Sequence, residues 1–204
     1  MSLPNQLTAL RIVLAPLFYI LFAVAAPPHY GWAVGVFIVA AVTDWYDGYF
    51  ARRLGKMTPF GAFFDPLADK VLTSVAFVAF AATGLVPWWC VVLIVLRDVY
   101  LTVFRMAADS LRQSIRTTTF AKYKTFFQMA FISYVLLVLL AREGDFGTAL
   151  ANTAGMLMQQ EWLLPITLLV TSLTLLTALK YSFDNSAVLS RIMNRYILGK
   201  STQA

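Results

Sequence analysis

The chain has 204 residues, 60% of them hydrophobic and 13% charged, with a formal net charge of +6. Soluble domains carry about 25% charged residues, and a core this small cannot bury such an apolar excess, so lipid must solvate much of it. The single cysteine, Cys90, excludes an internal disulfide and a thiolate metal centre. The lone His29, in a Pro-Pro-His-Tyr-Gly stretch, reads as an ordinary loop residue.

The first predicted element is a short interfacial helix from about Pro4, running into a helix over the apolar run 12–26 with a kink at Pro16. Arg11 before an apolar stretch ending Ala23-Val24-Ala25-Ala26 also resembles a cleaved leader. Asn5, Gln6 and Thr8, where a leader has only basic residues, weigh against it. Further apolar runs follow at 32–42, 71–82, 86–96, 126–141 and 163–179. Several fall short of the ~20 residues that span a bilayer. The second, third and fourth runs each meet charged residues at one end, where a helix can continue out of lipid into a polar pocket. Between the last two runs, residues 144–160 suggest an amphipathic segment on the outer surface. The expected fold is all-α: a polytopic membrane protein of six transmembrane helices and a short N-terminal interfacial helix, forming one domain over 1–204.

Charge orients the bundle. Arg52, Arg53 and Lys56 follow helix 2, Arg105, Arg112, Arg116, Lys122 and Lys124 follow helix 4, and Lys180, Arg191, Arg195 and Lys200 lie in the tail. Residues 26–31 and 83–88 carry no Lys or Arg. Both termini are therefore expected in the cytosol. Basic residues divided among loops beside lipid do not suggest a nucleic-acid partner. Trp88, Trp89, Trp162, Tyr19 and Tyr30 read as an interfacial belt. Gly31 and Gly35 offer only a weak signal for close helix packing.

The chemistry concentrates between Asp44 and Asp69. Asp44 and Asp47 are three apart, and Asp65 and Asp69 four apart, so each pair shares one helix face. Helix 2 is expected to end with the first pair and helix 3 to open with the second, with Pro66 in its first turn. Two antiparallel helices joined by a short loop bring the four carboxylates together at the cytosolic surface. Clustered carboxylates repel one another, and cations offset that repulsion. The set therefore reads as a binuclear site for Mg²⁺ or Mn²⁺. Gly48 leaves room for a ligand against the backbone, and Arg52 offers a planar fork of donors to phosphate. A salt-bridge network with Arg52, Arg53, Lys56 and Lys70 is the plainer alternative. A cation transporter would instead spread its acids over several helices near mid-bilayer.

The pattern Asp44-x₂-Asp47-Gly48-x₂-Ala51-Arg52-x₈-Gly61-x₃-Asp65-x₃-Asp69 resembles the signature of the CDP-alcohol phosphotransferases at every position. The resemblance implies a six-helix membrane enzyme, commonly a homodimer, that transfers a phosphatidyl or similar group from a CDP-linked donor to an alcohol and releases CMP. It also implies that Asp44, Asp47, Asp65 and Asp69 hold two divalent cations, that Asp69 takes the acceptor's proton, and that Gly48, Arg52, Thr58, Asn5 and Thr8 contact the CDP part. Pro4-Asn5-x₂-Thr8-x₂-Arg11, Asp65-Pro66-Leu67-Ala68-Asp69-Lys70, Arg97-Asp98 followed by Arg105, and Lys122-Tyr123-Lys124-Thr125 with Gln128-Met129 are similar to the bacterial phosphatidylglycerophosphate synthases. Ala121 and Met106 depart from that subfamily's usual Gly and acid. Its substrates, CDP-diacylglycerol and glycerol 3-phosphate, are the implied partners, in the inner membrane of a bacterium. Arg97, Arg105, Lys122 and Lys124 then form an expected anion pocket for the acceptor phosphate. Phosphatidylglycerol, serine and inositol phosphate are the alternative acceptors within the family.

Overall fold

In the computed structural model, every regular element among the described residues (3–25, 29–54, 59–111, 113, 120–143 and 147–196) is helical. Side chains are described over 9–25, 29–43, 70–111, 113, 125–143, 147–193 and 195. The first helix, α1 (Leu3–Tyr19), contains Pro16 and widens into a π-helical turn, Ile20–Val24. The Ala25 N–H closes that turn on the Ile20 carbonyl at 2.8 Å. The N-terminal interfacial segment is therefore not a separate element. Pro4 sits in the first turn, where its missing N–H costs nothing, and no breaker separates it from the apolar run.

The bundle continues with α2 (Tyr30–Leu54), α3 (Pro59–Ala82), α4 (Trp88–Ser110) and α5 (Phe120–Glu143). A short α6 (Thr148–Leu157), the long α7 (Gln160–Asp184) and a second short helix, α8 (Ser186–Tyr196), complete it. Exposed His29 lies just before α2, and its carbonyl accepts the Ala33 N–H at 2.9 Å. Gly84, at φ 75°, closes α3, with the Leu85 N–H reaching back to the Phe80 carbonyl at 2.9 Å. As the sequence suggests, α2 and α4 run well past their apolar stretches, and α3 begins well before its own. The amphipathic segment expected within 144–160 is α6. Arg191 on α8 donates to Gln113 at 2.7 Å.

The core sits on α1. Ala15, Phe18 and Phe22 are fully buried on one face, and that face packs against both α2 and α3. An aromatic column joins the helices. Phe18 stacks on Phe22 at 5.4 Å and lies 5.7 Å from Phe37 of α2. Phe22 lies 5.3 Å from Phe80 of α3, and Phe77 stacks on Phe131 of α5 at 5.8 Å. Among the described residues, α2 and α3 touch each other far less than each touches α1. They do not form the simple packed hairpin that a short connection suggests. The other side of the bundle is the α4–α7 seam, joined to the first group through α3 and α5.

The surface is more apolar than that of a water-soluble protein, and a few polar groups are buried. Trp32, Leu96, Phe126, Leu176 and Phe183 are 60–76% exposed, whereas Arg11, Arg97, Asp98 and Gln128 are each under 10%. Threonine hydroxyls in the helices turn back onto their own backbone, as in Thr43 to Val39 (2.7 Å) and Thr167 to Leu163 (2.7 Å). Where water is absent, that local bond satisfies the hydroxyl. Among the described residues, 125–143 and 160–184 are long and apolar enough to cross a bilayer. Shorter apolar helical stretches cover 9–24, 30–43 and 70–82. Trp88, Trp89 and Trp162 lie exposed at the starts of α4 and α7. Among the described residues the chain is all-helical, and its exposed apolar surface suits lipid.

Candidate active site

The two aspartate pairs occupy two different helices. Asp44 and Asp47 lie within α2, which runs on through Gly48, Ala51 and Arg52 to Leu54. Asp65 and Asp69 lie inside α3. That helix starts at Pro59, so Pro59 takes the opening turn and Pro66 stands in the interior, correcting the expectation that Pro66 begins it. The side chains of Asp44, Asp47, Asp65, Asp69 and Arg52 lie outside the described residues, as does Thr58 altogether. Asn5 and Thr8 fall on α1, and Lys122 and Lys124 on the first turn of α5; their side chains also lie outside the described set. Among the described residues no group of three or more His, Cys, Asp or Glu could hold a metal.

A small cavity marks where these helices meet. It measures about 50 Å³ and is lined by Arg11 of α1, Ala41 of α2, Lys70 and Thr73 of α3, and Thr125 and Gln128 of α5. On each helix the lining stands close in sequence to an expected site residue. Arg11 is three beyond Thr8, Ala41 three before Asp44, Thr73 four beyond Asp69 and Gln128 four beyond Lys124. With Lys70 and Thr125 next to Asp69 and Lys124, the cavity extends from the level of the expected site residues to about one turn, ~5.4 Å, toward the apolar halves of these helices. Gln128 is 2% exposed, and among the described residues its Nε2 has no hydrogen-bond partner. Thr73 donates to the Lys70 carbonyl at 3.1 Å.

Arg97 and Arg105 are on α4, away from that cavity. Arg97 stands in mid-helix. Its Nη1 donates to Asp98 Oδ1 at 2.8 Å and its Nη2 to Thr177 Oγ1 of α7 at 2.7 Å. Its Nε is buried without a partner among the described residues. Arg105, two turns on, is exposed near the end of α4. The sequence names Lys70 as a possible partner of the carboxylates and Gln128 within a subfamily pattern, but it does not single out Thr73 or show that the three share a space. A polar residue amid apolar neighbours was the signal, but only helix packing showed that they share a space.

Comparison with known proteins agrees with the aspartate pattern. The family model described as CDP-alcohol phosphatidyltransferase matches residues 1–173. The chain belongs to the CDP-alcohol phosphatidyltransferase family. It is 37% identical over 150 residues to the CDP-diacylglycerol–glycerol-3-phosphate 3-phosphatidyltransferase of Bacillus subtilis (strain 168), covering 67% of this chain and 77% of that one. It is similar to the probable phosphatidylglycerophosphate synthase of Mycobacterium tuberculosis (strain ATCC 25618 / H37Rv), 38% identical over 143 residues, 68% of this chain and 67% of that one. The Escherichia coli (strain K12) protein named like the Bacillus one is 36% identical over 140 residues, covering 66% and 76%. The chain is thus an enzyme of a family that transfers phosphatidyl groups from CDP-alcohols, and the matched segment contains both aspartate pairs.

Proposed function

We propose that this enzyme transfers the phosphatidyl group of CDP-diacylglycerol to glycerol 3-phosphate, forming phosphatidylglycerophosphate and releasing CMP. The observation that carries the reaction class is the run of eight signature residues from Asp44 to Asp69, inside the segment matched by the family. The names of its relatives support the choice of substrates.

In the proposed step the acceptor hydroxyl attacks the lipid-side phosphorus. A new P–O bond forms, the bond to the CMP oxygen breaks, and Asp69 takes the hydroxyl proton. Asp44, Asp47, Asp65 and Asp69 suit two hard divalent cations, Mg²⁺ or Mn²⁺, because all four contribute carboxylate oxygen. Such cations, when bound, neutralise charge on the pyrophosphate. Asp69 sits among like charges and is a weak base, so its contribution rests on position more than on basicity. Gly48 leaves its backbone open to the nucleotide, Arg52 holds phosphate oxygens, and Thr58, Asn5 and Thr8 complete the CDP contacts. Arg105, Lys122, Lys124 and Arg97 receive the acceptor phosphate. Arg97 already holds Asp98 and Thr177, and among the described residues its Nε is without a partner.

The proposed topology is six spans with both termini and the site on the cytosolic side of a bacterial inner membrane, in a homodimer. Purified enzyme given labelled CDP-diacylglycerol, Mn²⁺ or Mg²⁺ and one acceptor at a time tests the substrates. Metal-dependent CMP release with glycerol 3-phosphate is expected. Release only with phosphatidylglycerol, serine or inositol phosphate contradicts the acceptor.

A further inference from the structure

The reaction as proposed leaves unassigned the cavity beneath the aspartates. Its polar lining has mostly found partners. Arg11, Lys70 and Thr125 each have a partner, and Thr73 donates its hydroxyl hydrogen to the Lys70 carbonyl. Gln128 is buried to 2% exposure and lines the space, and among the described residues its Nε2 makes no hydrogen bond, nor does the Nε of Arg11. A buried amide without a partner is costly, and such groups in native proteins call for an explanation.

Depth and chemistry narrow the choice of ligand. The cavity reaches from Lys70 and Thr125, next in sequence to Asp69 and Lys124, to Thr73 and Gln128, about one turn farther toward the apolar parts of α3 and α5. If the reacting phosphorus sits among the aspartates, that space faces the lipid half of the donor. The first polar groups met on passing from the phosphorus into diacylglycerol are its ester carbonyls, which only accept hydrogen bonds. Gln128 offers an uncharged N–H donor, which suits a neutral acceptor. The space, about 50 Å³, admits such a group and is far too small for a nucleotide.

We propose that Gln128 binds the donor lipid by donating a hydrogen bond from Nε2 to an ester carbonyl of its diacylglycerol part. The inference rests on the proposed reaction and adds to it a residue that recognises the ester linkage of the lipid.

The test compares CDP-diacylglycerol with its dialkyl-ether analogue, which lacks both carbonyls, in wild-type enzyme and in Gln128→Leu. For wild type, KM should be about three- to tenfold higher for the ether donor, the size of one neutral hydrogen bond. Gln128→Leu should raise KM for the ester donor to the ether value. It should leave the ether donor and the KM for glycerol 3-phosphate unmoved. Equal KM values for the two donors in wild type would overturn the contact without recourse to the variant. So would a variant that raises both donors alike, leaves the ester donor unchanged, or moves the acceptor KM. A wild-type enzyme that releases no CMP with glycerol 3-phosphate contradicts the reaction itself, whereas an active one indifferent to the linkage contradicts only the carbonyl contact.

Discussion

Asp69 carries the heaviest assignment of any single side chain, as both metal ligand and proton acceptor. Asp69→Asn keeps the shape and removes the negative charge, so kcat for CMP release should fall at least ~10²-fold. Near-normal turnover, measured at saturating metal and both substrates, would count against the assignment. The acceptor cations should behave differently. Arg105→Ala or Lys124→Ala removes a charged donor to phosphate, and KM for glycerol 3-phosphate should rise about tenfold or more. Donor KM should stay within about twofold of wild type; a parallel rise in both would contradict an acceptor pocket. The aspartates were legible from the sequence because spacing of three and four on a helix fixes a shared face whatever surrounds it. Gln128 was not. Its burial depends on where α1 and α3 lie against α5, and nothing in the local stretch Thr125-Phe126-Phe127-Gln128 encodes that.

Elements set the precision of the site, and the α4–α7 seam shows how. The Arg97–Asp98 ion pair, at 2.8 Å, is buried there, and Thr177 ties it to α7. Arg97→Met takes the guanidinium away from a buried carboxylate, a change that costs about 3–5 kcal/mol in buried pairs. Thermal unfolding in detergent should show that loss. The double variant Arg97→Met with Asp98→Leu should recover most of it. At the end of α3, Gly84 at φ 75° adopts a backbone conformation that costs other residues about 1–2 kcal/mol. Gly84→Ala should lower unfolding stability by that order without changing KM for either substrate. Helix extents were only partly legible. Apolarity stops at Val42, but α2 continues through charged positions to Leu54, because backbone hydrogen bonding is indifferent to the polarity of the side chains that line a site. Hydropathy also says little about α8, where Arg191 interrupts Val188, Leu189 and Ile192 and Arg195 follows them.

Across the whole molecule, the exposed apolar shell follows from lipid as solvent, while the interior is an apolar core with a few buried polar groups. The composition points to that apolar shell. It could not foresee that α1 packs against both α2 and α3, an arrangement that depends on how Ala15, Phe18 and Phe22 fit against Phe37 and Phe80. Topology can be tested with thiol labelling, since Cys90 is the sole native thiol and is buried. In a Cys90→Ala background, a membrane-impermeant reagent applied to spheroplasts should label Trp88→Cys and spare Arg191→Cys until the membrane is permeabilised. The reverse pattern would invert the bundle and put the aspartates on the wrong side for a cytosolic acceptor. The central claim is the transfer itself, and it is tested most directly by following radiolabelled glycerol 3-phosphate into extractable lipid. With purified enzyme and CDP-diacylglycerol, label should enter phosphatidylglycerophosphate in equal amount to CMP released, stop with a chelator, and resume when Mg²⁺ or Mn²⁺ is restored. CMP release without label in lipid, or transfer undiminished by the chelator, would contradict it.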